Sequence, residues 1–168
     1  MSGRVWKFGD NLDTDAMAPG QYMKGAIAEL ARHCLETVRP EFAASVRAGD
    51  VLVAGRNLGA GSSREQAPQA LKALGVAALV AVSYAGLFYR NALNLGLAAL
   101  VCAQAETIPD GAMIVVDHEA GRILLPEQGR TLACEPMPRF LLDMVKDGGL
   151  LPHLQKRVAV ERTERKQQ

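Results

Sequence analysis

Two rhythms of apolar and polar positions divide this chain. Val5-Trp6-Lys7-Phe8 alternates and predicts a first strand, with a turn behind it at Gly9-Asp10-Asn11. Residues 26–34 carry helical spacing. Residues 51–54, Val-Leu-Val-Ala, are uniformly apolar and predict a buried strand. Residues 66–74 then put Ala67, Ala70, Leu71 and Leu74 on one face of a helix. A second buried strand is predicted over 77–82, a helix over 87–95 stopped by Gly96, and another strand over 97–101. Strand, helix, strand, helix, strand predicts an α/β domain with a partly parallel sheet and helices packed on it. Beyond residue 110 the rhythm shortens. Residues 112–116 and 122–125 are short strands around a turn at 117–121, a hairpin signal. Residues 140–146 predict a short helix ended by Gly148-Gly149. Past His153 the chain is dense in Lys, Arg and Glu and predicts a frayed or disordered end. The expectation is one domain over 1–154 and a charged, flexible tail over 155–168.

The stretch over 51–75 concentrates the chemistry. A strand runs into a glycine-rich turn, then Ser62-Ser63-Arg64-Glu65, then a helix. A helix start carries unpaired N–H groups and partial positive charge, which attract anions. The plain reading is that Ser62 and Ser63 cap the helix, that Glu65 suits its dipole, and that Gly59 and Gly61 only shape the turn. Against it stands the density of the group: a cap needs one hydroxyl, not two beside an arginine. Arg64 supplies a planar fork that matches a carboxylate or phosphate. The turn therefore reads as an anion site holding a nucleophile or base. Nucleotide loops fit less well. The phosphate-binding P-loop requires Gly-Lys-Ser/Thr, and here the order is Gly-Ser-Ser-Arg. The dinucleotide fingerprint wants a small residue where Arg64 stands and an acid at the end of the next strand, and residues 79–84 contain none.

Asp10, Asp13 and Asp15 lie close enough to suggest calcium, but the spacing of oxygen ligands and the glycine of a calcium loop are missing, which leaves turn capping. Composition narrows the rest. The chain has 168 residues, 49% hydrophobic and only 5% aromatic, so one core built of Ala, Leu and Val is expected. A net charge of +1 offers no electrostatic case for nucleic acid or an anionic membrane. Cys34, Cys102 and Cys134 are odd in number and far apart, which argues for a reducing, cytoplasmic compartment and against a self-contained metal or iron–sulfur site. No stretch is apolar for long enough to span a bilayer, and the first ten residues lack a signal-peptide core.

Four blocks together point to a family. They are Gly9-Asp10-Asn11-Leu12-Asp13-Thr14-Asp15; Ala54-Gly55-Arg56-Asn57 with Gly59-Ala60-Gly61-Ser62-Ser63-Arg64-Glu65; Phe88-Tyr89-Arg90-Asn91-Ala92; and Gly148-Gly149-Leu150. In this order and spacing the chain resembles the small subunit of 3-isopropylmalate dehydratase, the swivelling domain of the aconitase superfamily, up to about residue 154. The resemblance implies a three-layer β/β/α domain. It implies a separate large subunit that carries a [4Fe-4S] cluster, with no cofactor or metal bound by this chain. The implied reaction moves water between neighbouring carbons of a hydroxy di- or tricarboxylate, as in leucine biosynthesis. Ser62 matches the base that takes the proton next to a carboxylate. Ser63 and Arg64 match carboxylate-binding positions, and Thr14 and Asp15 match the edge of the active site. Lys24, in the loop where the family reads the substrate's variable group, either meets a second carboxylate, as in a homoaconitase-like enzyme, or faces solvent. Departures from the family pattern are Ala60 for a usual Cys and Gln66 for a usual His; neither replaces a residue assigned to chemistry. A carboxylate-binding module without a catalytic partner is the alternative from another class, and an adjacent large-subunit gene would speak against it.

Overall fold

A computed structural model describes residues 1–166, without the side chains of Glu161, Glu164, Arg165 and Lys166. Seven strands form one sheet in the order β4-β3-β2-β1-β5-β6-β7. Four of them are parallel: β1 (Ser2–Lys7), β2 (Val51–Ala54), β3 (Ala78–Ala81) and β4 (Ala98–Val101). Three are antiparallel additions: β5 (Met113–Asp117), β6 (Arg122–Leu125) and β7 (Arg130–Ala133). Strand β1 joins the halves. Its first part, Ser2 to Arg4, pairs with β5, and its second part, Val5 to Lys7, pairs with β2.

The crossovers explain the layering. From β1 to β4 each new strand adds on the same side, so right-handed connections drop every helix onto one face. These are α1 (Thr14–Met17), α2 (Ile27–Arg32) and α3 (Phe42–Ser45) between β1 and β2, α4 (Gln66–Ala73) after β2, and α5 (Gly86–Asn94) after β3. Alternate residues of the parallel strands serve two cores. Trp6, Leu52, Ala54, Leu79, Ala81 and Ala99 pack with the helices. Val5, Val51, Val53, Ala78, Val80, Ala98 and Leu100 pack instead with Ile114, Val116, Ile123, Leu125 and Leu132 of the antiparallel half. The sheet thus curls until one half covers the bare face of the other, giving helices, parallel strands and antiparallel strands as three layers. Both faces of β2, β3 and β4 are buried, which is why they read as unbroken apolar runs.

Several elements depart from the sequence expectation, among them the short helices α1 and α3, which were not expected. Strand β7 was not expected, and only Leu132 of its four residues is buried. After α6 (Arg139–Lys146), the chain expected to fray forms a helix, α7 (Leu150–Lys166); the last two residues of that tail lie outside the described ones. Gly148 and Gly149 (φ 91° and 124°) make the corner between these helices, and a Cβ on Gly149 would press on the backbone of Asn94 and Leu95. Lys72 donates to the carbonyls of Leu95 and Gly148 and ties that corner to the end of α5.

Candidate active site

The loops leaving β1, β2 and β3 meet at one end of the sheet, the carboxyl ends of parallel strands where ligands of such sheets bind. Their backbones are stitched together. Gly55 N–H donates to Gly9 O, Gly59 N–H to Leu12 O (2.8 Å) and Leu58 N–H to Ser83 O (3.0 Å). Side chains add to this. Asp10 Oδ1 accepts the N–H of Arg56, Asn57 Nδ2 donates to Asn11 Oδ1 (2.9 Å), and Ser83 Oγ accepts the N–H of Asn57 (2.9 Å). Asn11 and Asn57 sit at φ 54° and 58°, where asparagine is tolerated better than most residues. Gly59 is required twice over: φ is +83°, and a Cβ would overlap the ring of Phe88.

Beyond Gly59 the turn borders a cleft of about 150 Å³ lined by Thr14, Gly61, Ser62, Ser63, Arg64 and the start of α5. Neither serine is a cap. Helix α4 begins only at Gln66, its cap position is Glu65, and no side chain caps it. The plain reading of Ser62 and Ser63 therefore fails. Both are exposed, and among the described residues neither hydroxyl makes a hydrogen bond within the chain. Among the described residues the N–H groups of Gly61, Ser62, Ser63, Glu65 and Gln66 make none to the backbone either, whereas Arg64 N–H donates to Ser62 O (2.8 Å). Gly86 and Leu87, in the first turn of α5, line the same cleft, and that helix also lacks a side-chain cap. The start of α5 and the turn of free amides that leads into α4 share one opening, an arrangement that favours an anion.

The predicted residues fall into distinct positions. Arg64 is mostly buried; its Nη1 donates to Ala18 O (2.9 Å) and its Nη2 pairs with Asp15 Oδ1 (2.9 Å). Asp15 holds the guanidinium and is absent from the cleft lining. Thr14 is 1% exposed. Its Oγ1 donates to Ser62 O (2.7 Å) and its N–H to Ala60 O (2.9 Å), so it grips the turn on both sides of Gly61. Lys24 lies apart. It is exposed, follows a short 3-10 stretch at Gly20–Tyr22, and is not in the cleft lining. The three aspartates have separate tasks: Asp10 on Arg56, Asp13 capping α1 through the N–H of Ala16 (2.7 Å), and Asp15 on Arg64. Sequence reasoning missed the start of α5. Its signal was present in Gly86, a second strand-to-helix turn at the same sheet end.

Among the described residues no three His, Cys, Asp or Glu side chains come together to hold a metal. Cys34 is fully buried, and burial pushes its thiol up to about 12. No helix of the described residues is long and apolar enough to cross a membrane.

A family model described as the aconitase C-terminal domain matches residues 14–105, a span that opens on Thr14 and contains the serine turn and the helix start that line the cleft. The chain belongs to the aconitase C-terminal domain family. Among family relatives, it is 46% identical over 153 residues to the 3-isopropylmalate dehydratase small subunit of Halothermothrix orenii, covering 90% of this chain and 93% of that one. It is 47% identical over 157 residues to the methanogen homoaconitase small subunit of Methanothermobacter thermautotrophicus, covering 93% and 91%. The crystal structure of 3-isopropylmalate dehydratase from Methanocaldococcus jannaschii matches with a TM-score of 0.92 at 39% identity, over 97% and 98% of the two chains. The curled, three-layer α/β architecture is thus the aconitase-type swivelling fold.

Proposed function

We propose that this chain is the small subunit of a hydro-lyase of the 3-isopropylmalate dehydratase type, active in the cytoplasm with a large subunit. One observation carries the reading: Ser62 stands exposed on a turn of unbonded amides, in an open cleft, beside an arginine already held by Asp15. The proposed substrate is a small hydroxy di- or tricarboxylate, first 3-isopropylmalate. Arg64, braced from behind, presents its remaining N–H groups to a substrate carboxylate and fixes the carbon that loses its proton. Ser62 Oγ takes that proton. A serine oxygen is a poor base in water, but donors around it change that: one aligned donor in a closed site is worth about 3–4 kcal/mol, and a helix start about 1 kcal/mol more. Closure is what the free chain lacks, because its cleft opens to solvent. A large subunit seated over it would exclude water and strengthen each of these contacts. The [4Fe-4S] cluster belongs on that subunit in this reading; the described side chains here do not form a ligand set for it.

Lys24 favours a second reading, a homoaconitase-like substrate with an additional carboxylate, and the methanogen homoaconitase relative at 47% identity speaks for weighing it. Reconstitution with a cluster-bearing large subunit and a panel of malate and citrate analogues tests both. Wild-type protein should turn over one class. Ser62→Ala should lose about 10²–10⁴-fold in kcat, without loss of stability, since Ser62 is exposed and braces nothing with its hydroxyl. Full activity in that variant would overturn the base assignment. Inactivity of the wild type on every substrate would leave the carboxylate-binding module. Lys24→Val should shift preference toward the apolar substituent, and an unchanged preference means Lys24 is only solvated.

A further inference from the structure

Two of the three cysteines, distant in sequence, meet at the seam of the curled sheet. Strands β4 and β7 are its two edges. Just past their ends the edges touch: Glu135 N–H donates to Val101 O (2.8 Å), and Cys102 Sγ lies 3.6 Å from the carbonyl oxygen of Ala133. Ala133 adjoins Cys134, so these contacts on either side of residue 134 set Cys102 and Cys134 side by side across the seam. Both backbones are anchored, Cys102 N–H on Ala81 O (2.9 Å) and Cys134 N–H on Gly121 O (2.8 Å). Cys102 is fully buried and Cys134 half-buried, so the pair has one inner and one reachable sulfur. Cys34 sits in the helical core, on the other side of the sheet.

We propose that Cys102 and Cys134 are a reversible dithiol–disulfide site that fastens the two edges of the sheet when the protein meets a peroxide. Whichever thiol of the pair is ionised reacts first. Its sulfur bonds one peroxide oxygen, the O–O bond breaks, and the other oxygen leaves as water, with that cysteine now a sulfenic acid. The second thiol then attacks that sulfur; the S–S bond forms, the S–O bond breaks and a second water leaves. The two sulfurs together lose two electrons and the peroxide gains them. Each thiol stabilises a thiolate on its neighbour, so the pair gives up one proton more readily than a lone buried cysteine and resists losing the second. A dithiol reductant reverses the sequence by thiolate attack on the disulfide. The closed loop contains all of β5, β6 and β7, so the bond restrains the whole antiparallel half in the unfolded chain and should stabilise the fold. This site does not depend on the dehydratase reading and is tested without any substrate.

The test treats the full chain with hydrogen peroxide, quenches, denatures, alkylates and reads intact mass and peptide map. Two of three thiols should escape alkylation, with a mass loss of about 2 Da and a linked Cys102–Cys134 peptide. The oxidised form should melt higher than the reduced form, and dithiothreitol should return both readings. Cys134→Ser, at a half-exposed position, should keep its remaining thiols free at the same peroxide dose and show no rise in Tm; Cys102→Ser should match it if it folds. Three alkylatable thiols after treatment, oxidation of Cys134 to sulfinic acid without linkage, or a bond between two molecules would each overturn the proposal.

Discussion

Thr14 has a single hydroxyl proton, and it is committed to the carbonyl of Ser62. Losing that bond leaves a partly buried acceptor unpaired, at a cost of about 1 kcal/mol. The larger effect should fall on geometry, since the same residue also holds Ala60. Thr14→Val should therefore lower kcat in the reconstituted complex about 10-fold, a barrier change of about 1.4 kcal/mol, with KM little changed. Thr14→Ser should recover most of it. Equal behaviour of the two variants would remove the bracing role. At this scale the sequence was legible where a side chain acts on its own neighbours: Asp13 as a cap follows from Asp13 and Ala16 alone. It was not legible where the partner is far along the chain. Nothing local says that Thr14 grips Ser62 or that Asp15 braces Arg64; the family resemblance placed both near the site, and the contacts define their work.

Among the elements, β2, β3 and β4 were readable because burial on two faces leaves no polar position to blur the pattern. Strand β7 was not, since Arg130, Thr131 and Ala133 are exposed and only Leu132 carries the signal. Helix α4 was found with its start at Gln66, although two serines before a helix imitate a cap, a position that Glu65 occupies instead. Helix α7 is the sharper lesson. Its composition suggests fraying, yet Lys, Arg, Glu and Gln are all good helix formers. His153 and Lys156 both bond to Asp147 at the end of α6 (2.7 and 2.6 Å) and fasten its first turns. From Leu154 to Val160 every side chain is exposed. A helix without tertiary packing opens readily. We therefore expect amide protection to be high through α6 and to collapse beyond about residue 156 in hydrogen-exchange measurements. Uniform protection to the end of α7 would contradict a flexible tail and the domain limit at 154.

The molecule as a whole is held by contacts between distant segments. Arg39, before α3, donates twice to Asp110, before β5 (2.9 Å each), while Asp110 also accepts the N–H of Lys7 (2.9 Å). Three segments meet on one carboxylate. Arg39 lowers the pKa of Asp110, with Lys7 adding to the effect. The folded chain thus holds this carboxyl ionised more firmly than the unfolded chain does. Its stabilisation is complete above the ordinary aspartate range, about pH 4, and is lost as pH falls through the lowered folded value. Asp110 is nearly half exposed, so solvent screening keeps the contribution of the pair within about 1 kcal/mol. Asp110→Asn should lower Tm slightly at neutral pH and make the acid decline shallower. A variant with an unchanged acid limb would mean that the clamp is only positional.

Local chemistry along the chain was enough to establish the alternation of strands and helices, the hairpin, the glycine turn with its two serines, and a motif order specific enough to place the family. Those signals act between neighbours, through side-chain periodicity and the conformational freedom of glycine, and so they survive in a one-dimensional record. The curl of the sheet, the strut from Thr14, the brace from Asp15, the start of α5 at the cleft and the meeting of Cys102 with Cys134 were decided only by the tertiary structure. Each needs two stretches far apart in the chain to be brought within a few ångströms, and that depends on how the cores on both faces of the sheet pack together.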